Sequence, residues 1–151
     1  MQSDDIITDL IPNHVGVVLD GNRRWAKENG YESTLEGHKR GADNLKSIAD
    51  YAFNRGVKTV SAFVFSTENW SRSKGEVDYL MKLFIRIMKR DIKELHRKGI
   101  KILWLGTRVG LKPEVIEAIE SAIIKTEHNI KGTLAFCLNY GGQQEIADAT
   151  A

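Results

Sequence analysis

The residues best suited to chemistry follow a short apolar run, residues 15–19, near the start of the chain. They are Asp20-Gly21-Asn22-Arg23-Arg24, followed by Trp25. Glycine lets the backbone approach a ligand closely, the N–H groups of a helix start attract anions, and arginine can fork onto phosphate oxygens. An acid among such groups repels a phosphate unless a cation bridges the two, and Mg²⁺ is the usual bridge. The segment indicates phosphate binding with Mg²⁺ on Asp20; the alternative is a turn with an Asp cap and solvated arginines.

Two further segments carry polar candidates. His38 begins a predicted helix, where it could donate a hydrogen bond to a diphosphate or serve as a solvated helix-start residue. Asn69, Trp70 and Arg72 follow the second apolar run. Burial is the usual role of tryptophan, so Trp70 is expected to pack rather than to stack on a ligand. Asn69 has no apolar role, which makes it the better candidate for a functional contact.

The elements that must position these residues alternate between two periodicities. Short runs rich in β-branched and aromatic residues predict strands, and longer segments with helical period predict helices between them. The predicted strands are residues 14–19, 59–65, 101–105 and 133–138, and the predicted helices are residues 37–54, 76–98, 113–127 and a last one beginning at 144. This alternation is typical of an α/β fold with a mostly parallel sheet flanked by helices. The carboxyl ends of such strands meet at one edge, where ligands bind.

The second long helix carries an apolar stripe. Its members are Leu80, Leu83, Phe84, Ile87 and Met88. Ordinary core packing explains such a stripe, and one wall of an apolar tunnel is the alternative. We also expect the fourth strand to lie at an open edge of the sheet, where further strands could pair.

Composition limits the remaining possibilities. The 151 residues form one domain, and 22 Lys and Arg against 20 Asp and Glu give a net charge of +2, which argues against a nucleic-acid binder. The single cysteine, Cys137, excludes an internal disulfide and fits a reducing cytoplasm. No apolar run approaches the ~18 residues that span a bilayer, and the first ten residues do not resemble a secretion signal. A nucleotide phosphotransferase is disfavoured because no Walker loop is present.

Four ordered motifs resemble those of one known family. H-V-G-V-V-L-D-G-N-R-R-W-A, G-H-K-R-G-A, F-S-T-E-N-W-S-R and N-Y-G-G are similar to motifs of the cis-prenyltransferases, the undecaprenyl diphosphate synthase family, over residues 12–146. The resemblance implies an enzyme that condenses isopentenyl diphosphate with an allylic diphosphate such as farnesyl diphosphate, with undecaprenyl diphosphate as the product. It also implies Mg²⁺ as the cofactor, a homodimer, a cytoplasmic location and at most peripheral membrane contact.

The resemblance assigns roles residue by residue. Asp20 corresponds to the Mg²⁺-binding catalytic aspartate, and Asn69 to the proposed proton acceptor, although an amide is barely basic and a positioning role fits it better. The groups implied to bind substrate are Gly21, Asn22, Arg23, Arg24, Trp25, His38, Ser66, Thr67, Glu68, Trp70 and Arg72.

The chain also departs from the family pattern. Thr34 and Gln143 stand where arginines are usual. Residues 1–151 are expected to form a single α/β domain with four of six strands, lacking the C-terminal third and its arginine-rich segment for isopentenyl diphosphate. We therefore expect this chain to bind an allylic diphosphate without elongating it. A non-catalytic diphosphate-binding or partner subunit is the alternative.

Overall fold

The computed structural model describes residues 10–151. Its strands are β1 His14–Val18, β2 Thr59–Ser66, β3 Ile100–Leu105 and β4 Gly132–Tyr140. Its helices are α1 Asn22–Glu28, α2 Leu35–Asn54, α3 Lys74–Arg97, α4 Pro113–Thr126 and α5 Gly142–Thr150, with a 3₁₀ helix over Thr67–Ser71. The predicted strands and helices are confirmed, each end within about two residues, a usual uncertainty for boundaries. The prediction on the first ten residues concerns a segment that, except for Leu10, lies outside the described residues.

The strands form one sheet with the order β1-β2-β4-β3, and every neighbouring pair is parallel. The expectation of an α/β fold with a parallel sheet is therefore confirmed. The expectation that the fourth strand lies at the edge is wrong, because β4 pairs with both β2 and β3. Its residues are buried almost throughout, as a central strand requires, and β1 and β3 form the two edges.

The core lies between the sheet and the helices α2, α3 and α4. One cluster of buried side chains joins these helices to β2, β3 and β4, and Val60, Ile102, Val115 and Ile119 in it are fully buried. On the opposite face of the sheet, Leu103 and Leu105 are more than a third exposed. None of the helices between residues 10 and 151 is long and apolar enough to cross a membrane.

The topology brings four loops to one edge. Parallel strands have their carboxyl ends on the same side, so the segments that follow β1, β2, β3 and β4 are neighbours. The first two of these segments carry most of the residues singled out in the sequence.

Candidate functional site

The loop after β1 turns sharply into α1 at Gly21. Gly21 adopts φ 77°, a left-handed conformation that side chains disfavour, and it caps the helix that begins at Asn22. Its N–H donates to Asp20 Oδ1 over 2.6 Å. Asp20 is exposed, so its carboxylate is accessible from solvent.

Helix α2 presses directly against this loop. A Cβ on Gly37 would clash with the backbone oxygen of Asn22, and a Cβ on Gly41 would clash with the Asn22 side chain. Both glycines lie on the same face of α2 as the buried His38 and as Ala42, which follows His38 by four residues. The two glycines therefore allow α2 to hold the loop and bring His38 beside it.

Three basic side chains converge on one carboxylate, that of Glu76 in the first turn of α3. Arg72 Nη1 donates to Glu76 Oε1 over 2.9 Å, and His38 Nε2 donates to the same oxygen over 3.2 Å. Arg23 Nη1 lies 3.8 Å from Glu76 Oε2. We call these four side chains the mouth cluster. Glu76 is largely buried and was not predicted; its spacing of four residues from Arg72 was the available signal.

Burial makes His38 a weak base. Desolvation lowers its pKa below the ordinary value, the hydrogen bond and charge of Glu76 raise it, and the charges of Arg72 and Arg23 lower it further. The net pKa is lowered, so the imidazole is neutral at pH 7. An anion placed among these groups would favour the charged imidazolium.

Asn69 lies in a tightly hydrogen-bonded turn after β2. Its Oδ1 accepts the N–H of Ser66 over 3.1 Å, and the Ser66 hydroxyl accepts the N–H of Asn69, so the two residues cap the 3₁₀ helix reciprocally. The amide oxygen is thus occupied by a donor, which leaves the amide NH₂ as the group that can contact a ligand. This geometry fits positioning rather than proton acceptance.

Trp70 is held by a second buried residue that was not predicted, Asn139. Trp70 Nε1 donates to Asn139 Oδ1 over 2.8 Å, and its ring packs edge-on against Phe65. Asn139 Nδ2 donates to the carbonyls of Thr107 and Val109 over 2.9 and 2.8 Å. Asn139 is 2% exposed and has φ 54°. Its side chain therefore ties together the ends of β2, β3 and β4; we call these contacts the Asn139 network.

A cavity of about 250 Å³ opens beside the mouth cluster. Polar groups stand at its mouth, and apolar side chains of α2, α3, β2 and β4 line its body. Of the α3 stripe, Leu80, Leu83, Phe84 and Ile87 line the cavity, whereas Met88 does not. Phe84 and Met88 are buried in the core cluster and Leu80 and Ile87 pack against it, as ordinary core packing predicts, and a role as a tunnel wall stays a prediction. The site thus combines a mouth of charged and polar side chains with an apolar interior.

The structure brings together only part of the predicted set. The predicted residues that line this cavity are Asp20, Asn22, His38, Ser66, Asn69 and Arg72. Those that do not line it are Gly21, Arg23, Arg24, Trp25, Thr67, Glu68 and Trp70. Among these, Arg23 still joins the mouth cluster, Trp25 stacks on Tyr31, and Thr67 lies in a second pocket beside Gly141.

The side chains present fit a metal ion that takes most of its coordinating oxygens from water and from a bound substrate. Among residues 10–151, no three His, Cys, Asp or Glu side chains are grouped as a metal site. Asp20 offers one carboxylate at the mouth. This donor set fits Mg²⁺, which keeps several waters and commonly binds one or two carboxylates together with the phosphates of a substrate.

Two curated relatives are similar in sequence to this chain over most of its length. The chain is 47% identical over 143 residues to the trans,polycis-polyprenyl diphosphate synthase ((2Z,6E)-farnesyl diphosphate specific) of Thermobifida fusca, covering 95% of this chain and 50% of that protein. It is 41% identical over 143 residues to the isoprenyl transferase of Streptococcus thermophilus, covering 95% of this chain and 57% of that protein. The chain therefore spans between half and three fifths of the length of these relatives.

Solved structures and a family model agree with these relatives. The lavandulyl diphosphate synthase of Lavandula x intermedia, solved with dimethylallyl diphosphate, is 33% identical with a TM-score of 0.90, over 94% of this chain and 61% of that one. A probable undecaprenyl diphosphate synthase from Campylobacter jejuni is 26% identical with a TM-score of 0.74, over 91% and 58%. Residues 18–151 match the family described as "Putative undecaprenyl diphosphate synthase". The chain belongs to this family of prenyltransferases.

Proposed function

We propose that this chain forms the allylic-diphosphate side of an isoprenyl transferase, which condenses isopentenyl diphosphate with an allylic diphosphate to extend a cis-polyprenyl diphosphate. One observation carries the proposal: the mouth cluster of Arg23, Arg72, His38 and Glu76 stands at the opening of an apolar cavity. A diphosphate with an apolar tail is the ligand that satisfies both halves of this site.

The chain's own residues supply the binding of the diphosphate. Arg72 and Arg23 offer guanidinium donors, which bind phosphate oxygens in charge-assisted hydrogen bonds. Backbone N–H groups at the start of α1 add further donors. As the allylic C–O bond breaks, negative charge develops on the departing diphosphate, and fixed donors aimed at that position stabilise it.

Asp20 is the residue proposed to hold Mg²⁺. Its carboxylate would hold Mg²⁺ together with the diphosphate, and the ion would supply positive charge that offsets the charge of the diphosphate. Asn69 lines the cavity and its Oδ1 accepts from the N–H of Ser66, which supports a role for its NH₂ group in orienting a substrate. The other predicted contacts remain predictions: Gly21, Asn22, Arg24, Trp25, Ser66, Thr67, Glu68 and Trp70.

Two finer features are also proposed. A cis-polyprenyl product as long as the undecaprenyl chain, and assembly as a homodimer, follow from the resemblance. Mass spectrometry of any lipid product that forms from isopentenyl diphosphate and farnesyl diphosphate tests the first. Sedimentation equilibrium across a hundredfold range of protein concentration tests the second.

Calorimetry with three related ligands tests the proposal directly. Farnesyl diphosphate should bind at least tenfold more tightly than inorganic diphosphate, which lacks the tail, and than farnesol, which lacks the charge. Asp20→Asn, which keeps the size of the side chain and removes its charge, should abolish the gain in affinity that Mg²⁺ gives without weakening metal-free binding. Equal affinity for farnesyl diphosphate and farnesol would contradict the proposed anion site.

A further inference from the structure

The edge of the sheet opposite the mouth cluster carries several exposed basic side chains. The segments that precede β2, β3 and β4 are neighbours there, because parallel strands also share the side on which they begin. Arg55 and Lys58 precede β2, Arg97 is the last residue of α3 before β3, and Lys131 precedes β4. All four are exposed, and we call them the amino-edge cations.

Backbone contacts hold the segments that carry these cations side by side. The Lys58 carbonyl accepts the N–H of Thr133 over 2.9 Å, and the N–H of Lys131 donates to the Gly99 carbonyl over 3.0 Å. Because neighbouring strands are about 4.8 Å apart, the starts of β2 and β3, which flank β4, lie only about 10 Å from each other. The cations therefore belong to one surface patch.

The acidic side chains near this edge are paired with other basic groups. Lys98 Nζ lies 2.7 Å from Asp50 Oδ2 and 2.7 Å from Glu94 Oε1, and Glu127 Oε1 lies 3.2 Å from His128 Nε2. Within residues 10–151, no carboxylate lies at ion-pair distance from an amino-edge cation. The patch therefore presents positive charge that no neighbouring acid compensates, and such charge attracts anionic partners.

The ends of the helices account for only part of this charge. Cations stabilise the last turn of a helix, which explains Arg97 at the end of α3 and Arg55 directly after α2. Lys58 and Lys131 lie four and five residues beyond the ends of α2 and α4, where the helix dipole has little effect. These two lysines therefore have no role in stabilising a helix end.

Two isoleucines are exposed near the same edge. Ile130, which directly precedes Lys131 in the turn before β4, is 96% exposed, and Ile124 in the last turn of α4 is 67% exposed. Apolar side chains that enter the headgroup region, together with cations that meet anionic lipids, bind a protein to a membrane surface. A nucleic acid would pair with the cations but would give Ile130 no apolar environment, so the combination favours a membrane.

We propose that the amino-edge cations and Ile130 form a docking surface for the anionic face of a lipid bilayer. Each cation near such a surface contributes about fivefold to binding, and insertion of Ile130 contributes about tenfold. The mouth cluster lies at the opposite edge of the sheet, so a chain docked in this way keeps its cavity mouth open to water. No residue of the mouth takes part, and the inference therefore stands apart from the proposed function.

Cosedimentation with lipid vesicles tests the docking surface. The chain should bind phosphatidylcholine vesicles that contain about 30% phosphatidylglycerol at least tenfold more tightly than pure phosphatidylcholine vesicles, and salt should weaken this binding. The triple variant Arg55→Gln, Lys58→Gln and Lys131→Gln should bind the anionic vesicles about a hundredfold more weakly, since it loses three of the four cations.

A second triple variant controls for net charge. Lys82→Gln, Arg86→Gln and Lys89→Gln remove the same charge from exposed positions in the middle of α3. Lys89, the last of them, is eight residues or about 12 Å from Arg97, which exceeds the Debye length of about 10 Å at 0.1 M salt. This variant should bind the anionic vesicles within about threefold of the wild type.

A pair of single variants tests the apolar contribution. Ile130→Ser should weaken binding to the anionic vesicles about tenfold. Val109→Ser changes a side chain that is also exposed but lies in the loop after β3, at the edge with the mouth, and it should bind as the wild type does. Because the Ile130 side chain is exposed, Ile130→Ser should keep the fold, and it serves if circular dichroism shows the first triple variant to be unfolded.

The possible results separate the alternatives. Equal losses in the two triple variants, or a wild-type chain that ignores anionic vesicles, would overturn the docking surface. RNA that displaces the vesicles and binds Ile130→Ser as tightly as the wild type would assign the patch to a nucleic acid and also overturn it. Farnesyl diphosphate affinity, measured by calorimetry on the same proteins, reports on the proposed function alone and should be unchanged in the amino-edge variants.

Discussion

The mouth cluster and the Asn139 network lie at the same edge of the sheet, but they differ in charge and in solvent exposure. In the mouth cluster, the carboxylate of Glu76 collects three basic groups, of which Arg23 is half exposed and Arg72 more than a quarter exposed. In the Asn139 network, a neutral amide that is 2% exposed uses its oxygen and both of its N–H groups on protein partners.

The difference indicates that the Asn139 network stabilises the fold, whereas the side chains of the mouth cluster can bind a ligand. A buried amide with every hydrogen bond made has nothing left for a ligand, and any loss leaves buried groups unsatisfied. The guanidinium groups of Arg23 and Arg72 are partly exposed and have further N–H donors, so they can take a bound anion as an additional partner while Glu76 keeps its own contacts. The Asn139 network should therefore govern stability, and the mouth cluster should govern binding.

The largest expected effect is on stability at Asn139. Asn139→Ala removes three hydrogen bonds and places a non-glycine residue with no local hydrogen bonds at φ 54°, so we expect a loss of about 3–4 kcal/mol in the free energy of unfolding. Asn139→Gly removes the same bonds without backbone strain and should cost about 1 kcal/mol less. Urea unfolding measures both. A loss below 1 kcal/mol in both variants would show that the network does not hold the loops.

The mouth cluster should give the opposite pattern. Arg72→Gln removes one charge-assisted partner of a bound diphosphate, so farnesyl diphosphate should bind about ten- to a hundredfold more weakly, while the free energy of unfolding changes by less than about 1 kcal/mol. Calorimetry and urea unfolding give the two values. Lys112→Gln, which loses an exposed ion pair between the residue before α4 and Asp78 of α3, is the control and should bind as the wild type does. The proposed division of roles would be wrong if Arg72→Gln mainly reduced stability and the Asn139 variants mainly reduced binding.

Local sequence patterns predicted the elements, and together with the family resemblance they predicted six of the residues that line the cavity. Periodicity identifies strands and helices, and the loops after parallel strands identify the edge where a ligand binds. Glu76 was not predicted as a site residue because its position in the sequence fits another role. It follows Ser73 by three residues, and its N–H donates to the Ser73 hydroxyl as in an ordinary helix start. Its carboxylate meets His38 only through tertiary packing.

The contacts of Asn139 and the strand order could not be predicted from the sequence for a related reason. Asn139 precedes Tyr140-Gly141-Gly142, a turn-like segment in which asparagine commonly adopts positive φ, but its partners Trp70, Thr107 and Val109 come from distant loops. The central place of β4 likewise depends on pairing between strands far apart in sequence. A pattern read along one segment carries no information on such pairings.

A smaller effect should separate the ring of Trp70 from its N–H group. Trp70→Phe keeps an aromatic ring against Phe65 and removes the donor to Asn139 Oδ1. We expect a loss of about 1 kcal/mol, the usual contribution of one hydrogen bond. In the Asn139→Gly background the same substitution should cost less, because the partner is already absent. Equal losses in the two backgrounds, measured by urea unfolding, would show that the two residues are not coupled.

The smallest expected effect is a proton taken up at His38. Because burial lowers its pKa, His38 is neutral in the folded chain near pH 7, whereas the unfolded chain protonates it near its ordinary pKa of about 6.5. The unfolded state therefore binds more protons below that pH, so His38 leaves stability unchanged above it and lowers stability as the pH falls. A bound diphosphate raises the pKa, since opposite charge favours the imidazolium. Farnesyl diphosphate binding near pH 6 should thus take up a fraction of a proton, measured by calorimetry in buffers of different ionisation enthalpy. His38→Gln should abolish this uptake, and an unchanged uptake would place the proton on another group.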